Sequence, residues 1–382
     1  MKQPDAIVIG AGVVGAACAL ALSKAGLKVL VLDRGPVSGG TSGAGEGNIL
    51  VSDKEPGPEL TLAIRSRDAW FEISDDIGGG FELEAKGGIV VARSQTGIQA
   101  LEKLSAVQRV AGVEAHALGS KELHKLEPHL NPQIDYGIHY PGDAQCQPML
   151  SAALMLKAVR GMGGKVVTGS SVIGIHRDGT AISGVTTTKE KYSTNVVVNA
   201  AGTWAGEIAE LAGSYLPIAP RRGFILVSAP APNLIHHKVY DADYVANVAS
   251  DASDLQSSAV VEGTKSGTIL IGASRERVGF KSDLDISILR ILAQQAIALF
   301  PTLANVQLMR AYRGFRPYAP DHLPVIGEDL LFKGLWHAAG HEGAGIGLAP
   351  ATAEIIAGEI LNKRIFMDSS PFSPRRFSKE VS

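Results

Sequence analysis

The sequence predicts an α/β fold in which a parallel-sheet domain is interleaved with a second, α+β domain built on a mainly antiparallel sheet. The first observation is an apolar run, Ala6–Ile9, that leads into a Gly-rich turn, a helical segment and a second apolar run ending at Asp33. This order of strand, turn, helix and strand is typical of the dinucleotide-binding, Rossmann-type fold. The second observation is a series of short β-type segments between residues 165 and 199. The third is a final strand, Gly-rich turn and long helix between residues 335 and 361, which return to the first domain.

The remaining elements follow from periodicity and turn residues. A Gly/Ser-rich loop after Asp33 is long enough to be functional rather than a simple connection. Residues 81–92 predict two strands around Gly87-Gly88, and Asp178-Gly179 predicts a turn within a meander. Helices are predicted at 59–77, at 96–111, in a segment that ends at about residue 162, and at 285–299. Strands are predicted at 165–168, 195–199, 221–228, 268–272 and 306–316. We assign residues 1–80, 145–215 and 325–370 to the first domain and residues 81–144 and 216–324 to the second.

Composition excludes several classes of function. Positive and negative side chains nearly balance at a net charge of −2 over 382 residues, so we expect no nucleic-acid partner and no anionic membrane partner. The only cysteines, Cys18 and Cys146, form no CxxC motif, and we therefore predict no metal site and no iron–sulfur cluster held by this chain. The apolar stretch 6–22 has the character of a signal-peptide core, but the same residues are needed for the dinucleotide motif. We expect a cytoplasmic protein.

Each glycine of the motif has a separate physical role. Gly10 allows the tight turn after the first strand, Gly12 lets the backbone approach a pyrophosphate, and Gly15 lets the helix lie close to the sheet. The helix beginning near Val13 points its amide groups and its positive dipole end at the phosphates. Asp33 accepts hydrogen bonds from a ribose and argues against a ribose 2′-phosphate. The motif alone does not separate NAD from FAD.

The number of such motifs favours FAD. Flavin reductases that use NAD(P)H usually carry two fingerprints, and this chain shows one. A second Gly-rich turn, Gly343-x-Gly345-x-Gly347, has the wrong spacing for a fingerprint but lies at the start of a helix. A helix dipole directed at the flavin stabilises the negative charge that develops on reduction.

Five further motifs carry a resemblance to a known family. They are "TSGAGEGN" in the early loop, "VVNAAGTWA", "GASRERVGF", "GFRPYAPDHLPVIG" and "GHEGAGIGLAPATA". With the fingerprint, they resemble the D-amino-acid oxidase/glycine oxidase superfamily of FAD-dependent amine oxidoreductases over nearly the whole chain. Length and pattern are most similar to glycine oxidase and to the β subunits of opine, hydroxyproline and cyanide-forming glycine dehydrogenases.

The resemblance implies a set of cofactor-binding residues. The ADP half of FAD is expected near the fingerprint and Asp33, the adenine near the backbone of Val172, and the isoalloxazine ring in the turn 340–346. The expected residues are Gly10, Gly12, Val14, Gly15, Asp33, Arg34, Thr41, Ser42, Val172, Ala201, Gly202, Gly340, Gly343, Ala344, Gly345 and Ile346. Arg316 matches the arginine with which similar oxidases bind the substrate carboxylate.

Two departures from the family pattern have consequences. The second carboxylate-binding residue of glycine oxidase, a tyrosine, falls at about Val260, so Arg316 works alone or with another residue. Relatives that tether flavin use a histidine in the early loop or a cysteine at the position of Gly314. Neither residue is present, so we expect FAD to be bound non-covalently.

Three residues are predicted to be catalytic, and each has an alternative role. Arg316 orients a carboxylate bidentately or forms a structural ion pair. His341 hydrogen-bonds the flavin or substrate, or supports its neighbours, and Glu46 faces the flavin or solvent. Arg221 and Arg222 are expected to be structural. A polar, aromatic stretch lines the substrate pocket or forms a surface hairpin, and its residues are His236, His237, Tyr240 and Tyr244.

The resemblance implies oxidation of a small amino acid or N-substituted amino acid with a carboxylate, by hydride transfer to flavin N5 followed by deamination or dealkylation. Electrons pass to an iron–sulfur-containing partner subunit or a dye-type acceptor, as in the dehydrogenases, or to oxygen with release of peroxide. We favour the dehydrogenase and expect an oligomer. The alternatives are an aromatic-hydroxylating flavin monooxygenase, which lacks support because "GHEG" replaces the usual late "GDA" motif, and a non-catalytic subunit that relays electrons.

Overall fold

A computed structural model describes residues 3–242 and 253–380, with side chains described up to residue 377. Within these ranges the chain forms a six-stranded sheet, an eight-stranded sheet and two smaller sheets. Strands β1–β19, in chain order, are Ala6–Ile9, Val29–Leu32, Asn48–Ile49, Gly88–Val91, His116–Gly119, Tyr136–Tyr140, Ala144–Gln145, Lys165–Val167, Val172–Asp178, Ala181–Thr187, Lys191–Ser193, Val197–Asn199, Ala219–Ser228, Lys238–Asp241, Gln256–Gly263, Ile269–Arg275, Leu308–Tyr318, Val325–Glu328 and Leu335–Ala339.

The helices cover the faces of these sheets. Helices α1–α8 are Val13–Lys24, Pro58–Ile77, Gln95–Val110, Ser120–Leu126, Pro148–Gly161, Ala205–Ala212, Ile286–Leu299 and Gly345–Ile360. Short 3₁₀ turns lie at Thr41–Ala44, Gly202–Trp204, Pro301–Asn305, Ser370–Phe372 and Pro374–Glu380.

The six-stranded sheet has the order β18-β19-β12-β1-β2-β8. All its neighbouring pairs are parallel except β18 with β19. Its central strands are buried on both faces, as their continuous apolar sequences require. The carboxyl ends of β1, β2, β12 and β19 therefore meet at one edge, which is where open α/β sheets bind ligands.

Helices α1, α2 and α8 fix this edge. Helices α1 and α8 pack against each other through small side chains such as Ala16, Ala19 and Ala353, which let two helices approach closely. Trp70 of α2 is fully buried, and its Nε1 donates a hydrogen bond of 3.0 Å to the carbonyl of Ile346 in the first turn of α8. The start of α8 is thus held in place by a distant helix.

The eight-stranded sheet has the order β17-β13-β16-β15-β14-β4-β6-β5 and is antiparallel except where β14 pairs with β4. Helix α7 covers one face through Ile288, Leu292 and Leu299. The other face turns toward the edge of the parallel sheet. The predicted fold class is confirmed: a parallel sheet and a mainly antiparallel sheet are formed by alternating parts of the chain. The exact domain boundaries stay a prediction.

One prediction of local structure was wrong. Residues 81–92 contain one strand, β4, where two were predicted around Gly87-Gly88. The first half joins a sheet only through an isolated bridge of Glu84 with Gln145, and Glu82 has a left-handed φ of 54° that interrupts an extended strand. The alternating apolar residues of this segment imitate a strand without pairing as one. The predicted meander, by contrast, is present as β9, β10 and β11.

Candidate active site

A cavity of about 660 Å³ lies between the carboxyl edge of the parallel sheet and one face of the eight-stranded sheet. Sixteen of the residues predicted for the site line it: Gly10, Gly12, Val14, Asp33, Arg34, Thr41, Ser42, Glu46, Val172, Ala201, Gly202, Arg316, His341, Gly343, Gly345 and Ile346. The fold thus brings together residues from the beginning, middle and end of the sequence.

Three predicted residues lie outside this lining. A Cβ on Gly15 would lie 2.0 Å from the Gly10 carbonyl oxygen, so Gly15 serves the close approach of α1 to the first turn. Gly340 has a φ of 73° and faces Ile218 and Val325. Ala344 is the N-terminal cap of α8. We therefore retain these three only as residues that shape the cavity.

The first turn has the geometry that a dinucleotide needs. Gly10 adopts a φ of 115°, and a Cβ there would lie 2.3 Å from the Ala200 carbonyl oxygen. Only glycine avoids this strain and collision together. A Cβ on Gly12 would lie 3.0 Å from Oγ of Ser42, whose oxygen already accepts a hydrogen bond of 3.0 Å from the amide of Val13. The start of α1 thus lines the cavity and packs against Ser42.

Asp33 connects the second strand to this turn. Its Oδ2 accepts a hydrogen bond of 2.7 Å from the Ala11 amide and its Oδ1 accepts one of 2.7 Å from the Gly35 amide. Each carboxylate oxygen keeps a further lone pair, since a carboxylate accepts about four hydrogen bonds in all. Asp33 lines the cavity and has the position and chemistry expected for ribose hydroxyls.

The N-terminus of a second helix meets the same cavity. Gly343, Gly345 and Ile346 line it at the start of α8, opposite the start of α1. Two helix N-termini provide two sites for negative charge, which suits a pyrophosphate and a flavin ring that becomes anionic on reduction. The residues present therefore fit FAD: α1, Ser42 and Asp33 would hold its ADP half, and the start of α8 would hold its flavin.

Arg316 is half-buried on β17 and points its guanidinium into this cavity. Its Nη1 donates a hydrogen bond of 2.8 Å to the carbonyl of Ser274, and a Cβ on Gly223 would lie 2.2 Å from that nitrogen. Among the side chains of residues 3–242 and 253–377, no carboxylate forms an ion pair with Arg316. Its charge is therefore available to a bound anion, which favours the binding role over the structural one.

The neighbouring arginines contrast with Arg316. Arg221 is buried and its Nη1 donates a hydrogen bond of 2.7 Å to Glu342, while Nε of buried Arg222 lies 2.8 Å from Glu276. Burial alone would raise the pKa of Glu342, but hydrogen bonds from His322 and Arg221 hold that pKa below its usual range. Arg221 and Arg222 therefore stabilise the fold, as expected.

His341 is buried beside the start of α8. Its Nε2 lies 2.9 Å from Oγ1 of Thr352, and burial lowers the pKa of His341 to about 3. A histidine that is neutral at physiological pH and bonded to Thr352 of α8 supports the turn instead of exchanging protons. The supporting role therefore fits better than the catalytic one.

Glu46 is also buried, with 7% of its surface exposed, and it lines the cavity. Its Oε2 accepts a hydrogen bond of 2.8 Å from Nδ2 of Asn48. Between its two predicted orientations, the side chain faces the cavity and not solvent.

The three described residues of the polar, aromatic stretch, His236, His237 and Tyr240, do not line the cavity. Tyr240 is fully buried in β14, and its hydroxyl lies 2.6 Å from Oγ of Ser52. His236 and His237 donate their amide hydrogens to Glu127, and His237 Nδ1 lies 2.9 Å from the same carboxylate. The surface-hairpin alternative is also wrong for Tyr240, because β14 is an inner strand of the eight-stranded sheet. Tyr244 lies outside the described residues.

Sequence reasoning missed an aromatic wall of the cavity. Trp204 lines it, and Arg34 lies over the Trp204 ring at 3.9 Å. The Trp204 ring also stacks on the Phe280 ring, with centroids 5.3 Å apart, and Phe280 meets Phe315 edge-on at 5.2 Å. Trp204 occurs within the quoted motif "VVNAAGTWA", which was the available signal.

Both cysteines are buried and free, and burial raises the pKa of each thiol to about 12. Across the described ranges, no cluster of three or more His, Cys, Asp or Glu side chains has the arrangement to hold a metal ion. A search of the same residues for helices long and apolar enough to cross a membrane found none.

The cavity combines a dinucleotide-binding turn, a second helix N-terminus and one face of the eight-stranded sheet. This combination defines a flavin-dependent oxidoreductase. A family model described as "DAO: FAD dependent oxidoreductase" matches residues 5–359, so the chain belongs to this family. The predicted family, enzyme class and cofactor are confirmed.

Individual relatives match over nearly their full length. The hydrogen cyanide synthase subunit HcnC of Pseudomonas aeruginosa is 26% identical over 98% of this chain and 97% of the relative. The glycine oxidase of the same organism is 27% identical over 96% of this chain and 98% of the relative. The crystal structure of glycine oxidase from Geobacillus kaustophilus matches with a TM-score of 0.89 and 25% identity, covering 98% of this chain and 99% of that one.

Proposed function

We propose that this enzyme oxidises the C–N bond of a small amino acid or N-substituted amino acid and releases the products of deamination or dealkylation. The observation that carries the proposal is the position of Arg316, a cavity-lining guanidinium with no ion-pair partner in the described part of the chain, beside Gly343 at the start of α8. Similarity to glycine oxidase and HcnC supports an amino acid as substrate.

The chemistry divides between cofactor and protein. FAD, when bound, accepts a hydride at N5 and supplies the redox chemistry. Arg316 binds the substrate carboxylate and so orients the carbon to be oxidised. The start of α8 directs its positive dipole end at the cavity and stabilises negative charge there. Hydride transfer requires a neutral amine, so an amine that binds in its protonated form first gives its proton to water or to a neighbouring carboxylate; no general base is assigned.

Amino acids, sarcosine, hydroxyprolines and opines are the compounds to screen for this activity. Under anaerobic conditions, at least one of them should bleach the flavin absorbance of the purified holoenzyme in a single turnover. A chain that relays electrons without catalysis would not be bleached by any small amine. Bleaching only by NADPH would identify a monooxygenase instead.

We further propose that electrons leave the flavin to a protein partner or a dye-type acceptor. HcnC is a subunit of hydrogen cyanide synthase, and similarity to it supports a partner, whereas similarity to glycine oxidase supports oxygen as the acceptor. An iron–sulfur cluster would have to belong to the partner, because the two buried cysteines here cannot ligate one. A cytoplasmic location and an oligomeric state complete the proposal.

The acceptor is decided by reoxidation. The holoenzyme is reduced with its substrate and mixed either with air-saturated buffer or with an artificial dye. Slow reaction with oxygen and fast reduction of the dye support the dehydrogenase, whereas rapid stoichiometric formation of peroxide identifies an oxidase. Co-purification with an iron–sulfur polypeptide would identify the partner.

A further inference from the structure

The two carboxylate oxygens of Glu46 have different surroundings. Oε2 is held by Nδ2 of Asn48 at 2.8 Å and by Nζ of Lys238 at 3.6 Å. Oε1 is buried and accepts no hydrogen bond from residues 3–242 and 253–377, the ranges whose side chains are described. A buried carboxylate oxygen without a donor costs free energy unless a bound molecule supplies one.

A buried ionic cluster behind Glu46 keeps this orientation. Lys238 on β14 is 2% exposed; its Nζ contacts Oδ1 of Asn48 and lies 3.4 Å from Oε2 of Glu262 on β15, which is 1% exposed. Lys86 approaches from the segment before β4, and its Nζ donates to the carbonyl of Gly263. Since Lys238 and Asn48 hold Oε2, Oε1 is the carboxylate oxygen left without a donor in a side chain that lines the cavity.

Arg316 and Glu46 stand over the same face of the eight-stranded sheet. Nη1 of Arg316 bonds to Ser274 on β16, whereas Oε1 of Glu46 lies 2.4 Å from the point where a Cβ on Gly272 would be. These two β16 positions are two residues apart, so both side chains reach the same short stretch of β16. Their closeness suits a ligand whose cationic and anionic groups are near each other, as the amine and carboxylate of an α-amino acid are.

In the described part of the sheet, the row that contains Val260 supplies no second carboxylate-binding hydroxyl. Val260 pairs with Gly272 on β16 and with Tyr240 on β14, so it lies in the same cross-strand row. Val260 has no polar group, and the hydroxyl of Tyr240 is directed at Ser52. The polar side chain that packs against Gly272 of this row is therefore that of Glu46.

We propose that Glu46 is the binding group for the substrate's cationic amine, and that Glu46 and Arg316 together select α-amino acids whose amine is protonated in water. Oε1 of Glu46 accepts a hydrogen bond from the ammonium group while Arg316 binds the carboxylate. Lys238 and Glu262 are positioning residues, because they act only through Glu46. This inference rests on the proposed function and specifies its substrate class.

The test compares ligands that differ only in the amine. Glycine is paired with glycolate, and L-proline with (S)-tetrahydrofuran-2-carboxylate, and binding to the anaerobic holoenzyme is measured by calorimetry. The unaltered protein should prefer the amino acid of a pair about tenfold or more, and Glu46→Gln should abolish that preference while binding the amine-free acid as before. Glu114→Gln, which removes an exposed carboxylate that contacts His116, is the matched control and should keep the preference.

Other outcomes overturn the inference without ambiguity. An unchanged preference in Glu46→Gln, or an equal loss of both members of a pair, would show that Glu46 does not recognise the amine. Glu46→Met serves the same comparison if Glu46→Gln loses its FAD. If the unaltered protein binds neither pair, the proposed selection of α-amino acids by Glu46 and Arg316 is contradicted. The bleaching screen still decides the proposed function by itself.

Discussion

The Nη1 atom of Arg316 donates a hydrogen bond of 2.8 Å to the backbone carbonyl of Ser274 on the neighbouring part of the sheet. This bond uses one donor of the guanidinium and fixes its position above Gly223, where any side chain would collide with it. The remaining donors face the cavity in a planar, pre-oriented group, as bidentate recognition of a carboxylate requires.

Arg316→Ala should weaken binding of carboxylate substrates by about 2–4 kcal/mol, the scale on which one partner of a buried charge pair is lost. FAD should stay bound, because its predicted contacts lie on other elements. Arg316→Lys should recover only part of the affinity, since an ammonium group cannot bind bidentately. Steady-state kinetics and flavin absorbance measure both effects, and normal turnover by Arg316→Ala would show that the residue is structural.

Gly12→Val should abolish FAD binding. A Cβ at this position lies 3.0 Å from Oγ of Ser42 and occupies the space through which the backbone approaches a pyrophosphate. The ratio of flavin to protein absorbance after reconstitution measures the effect. Gly161→Ala is the control, because a Cβ at Gly161 has no other atom within 4 Å. Stoichiometric FAD in Gly12→Val would refute the assignment of the fingerprint.

Acid precipitation should release the flavin into the supernatant. Gly314 stands where some relatives carry a tethering cysteine, and a Cβ there would lie 2.9 Å from Ala44, so that position has no room for a side chain. The histidine that lines the cavity, His341, is engaged with Thr352. Yellow colour that stays with the precipitated protein would contradict non-covalent binding.

His341 should make the folded state sensitive to acid. Its pKa falls from 6.5 to about 3 on folding, so its stabilising contribution is complete above pH 6.5 and is lost as pH falls toward 3. Between pH 6.5 and pH 5 this loss amounts to about 2 kcal/mol of unfolding free energy. Melting temperatures at pH 7 and pH 5 should therefore fall less for His341→Gln than for the unaltered protein.

The control for this comparison is His116→Gln, which replaces a histidine whose side chain is 55% exposed. Asp143 acts in the opposite direction over the same range, because burial raises its pKa to about 6. Its effect cancels in the difference between the two proteins. An equal fall in melting temperature for His341→Gln would show that His341 titrates normally.

The parts of this site that sequence predicts are those set by local geometry. The spacing of Gly10 and Gly12 after an apolar run requires a particular turn, and Asp33 follows from the length of the helix and strand between. The N-terminus of α8 was likewise visible as a Gly-rich turn before an apolar helix. These features depend on residues close in sequence, so their positions could be predicted.

The features that sequence reasoning missed depend on long-range pairing. The orientation of Glu46 is set by Lys238 on β14, and Lys238 is contacted in turn by Glu262 on β15. These contacts form because β14 and β15 lie side by side. Phe280 joins the wall of Trp204 through contacts that no periodicity encodes. The segment 81–87 shows the reverse error, in which a convincing alternation forms only a single bridge because the left-handed Glu82 interrupts the extended chain.

Rapid anaerobic mixing of the holoenzyme with an amino acid and with its carboxamide measures how much flavin reduction depends on the substrate carboxylate. At least one α-amino acid should bleach the flavin in a single turnover, its carboxamide should do so far more slowly, and Arg316→Ala should remove the difference between the two. Bleaching by NADPH but by no amino acid, or equal rates for the acid and its amide in the unaltered protein, would contradict the proposed function.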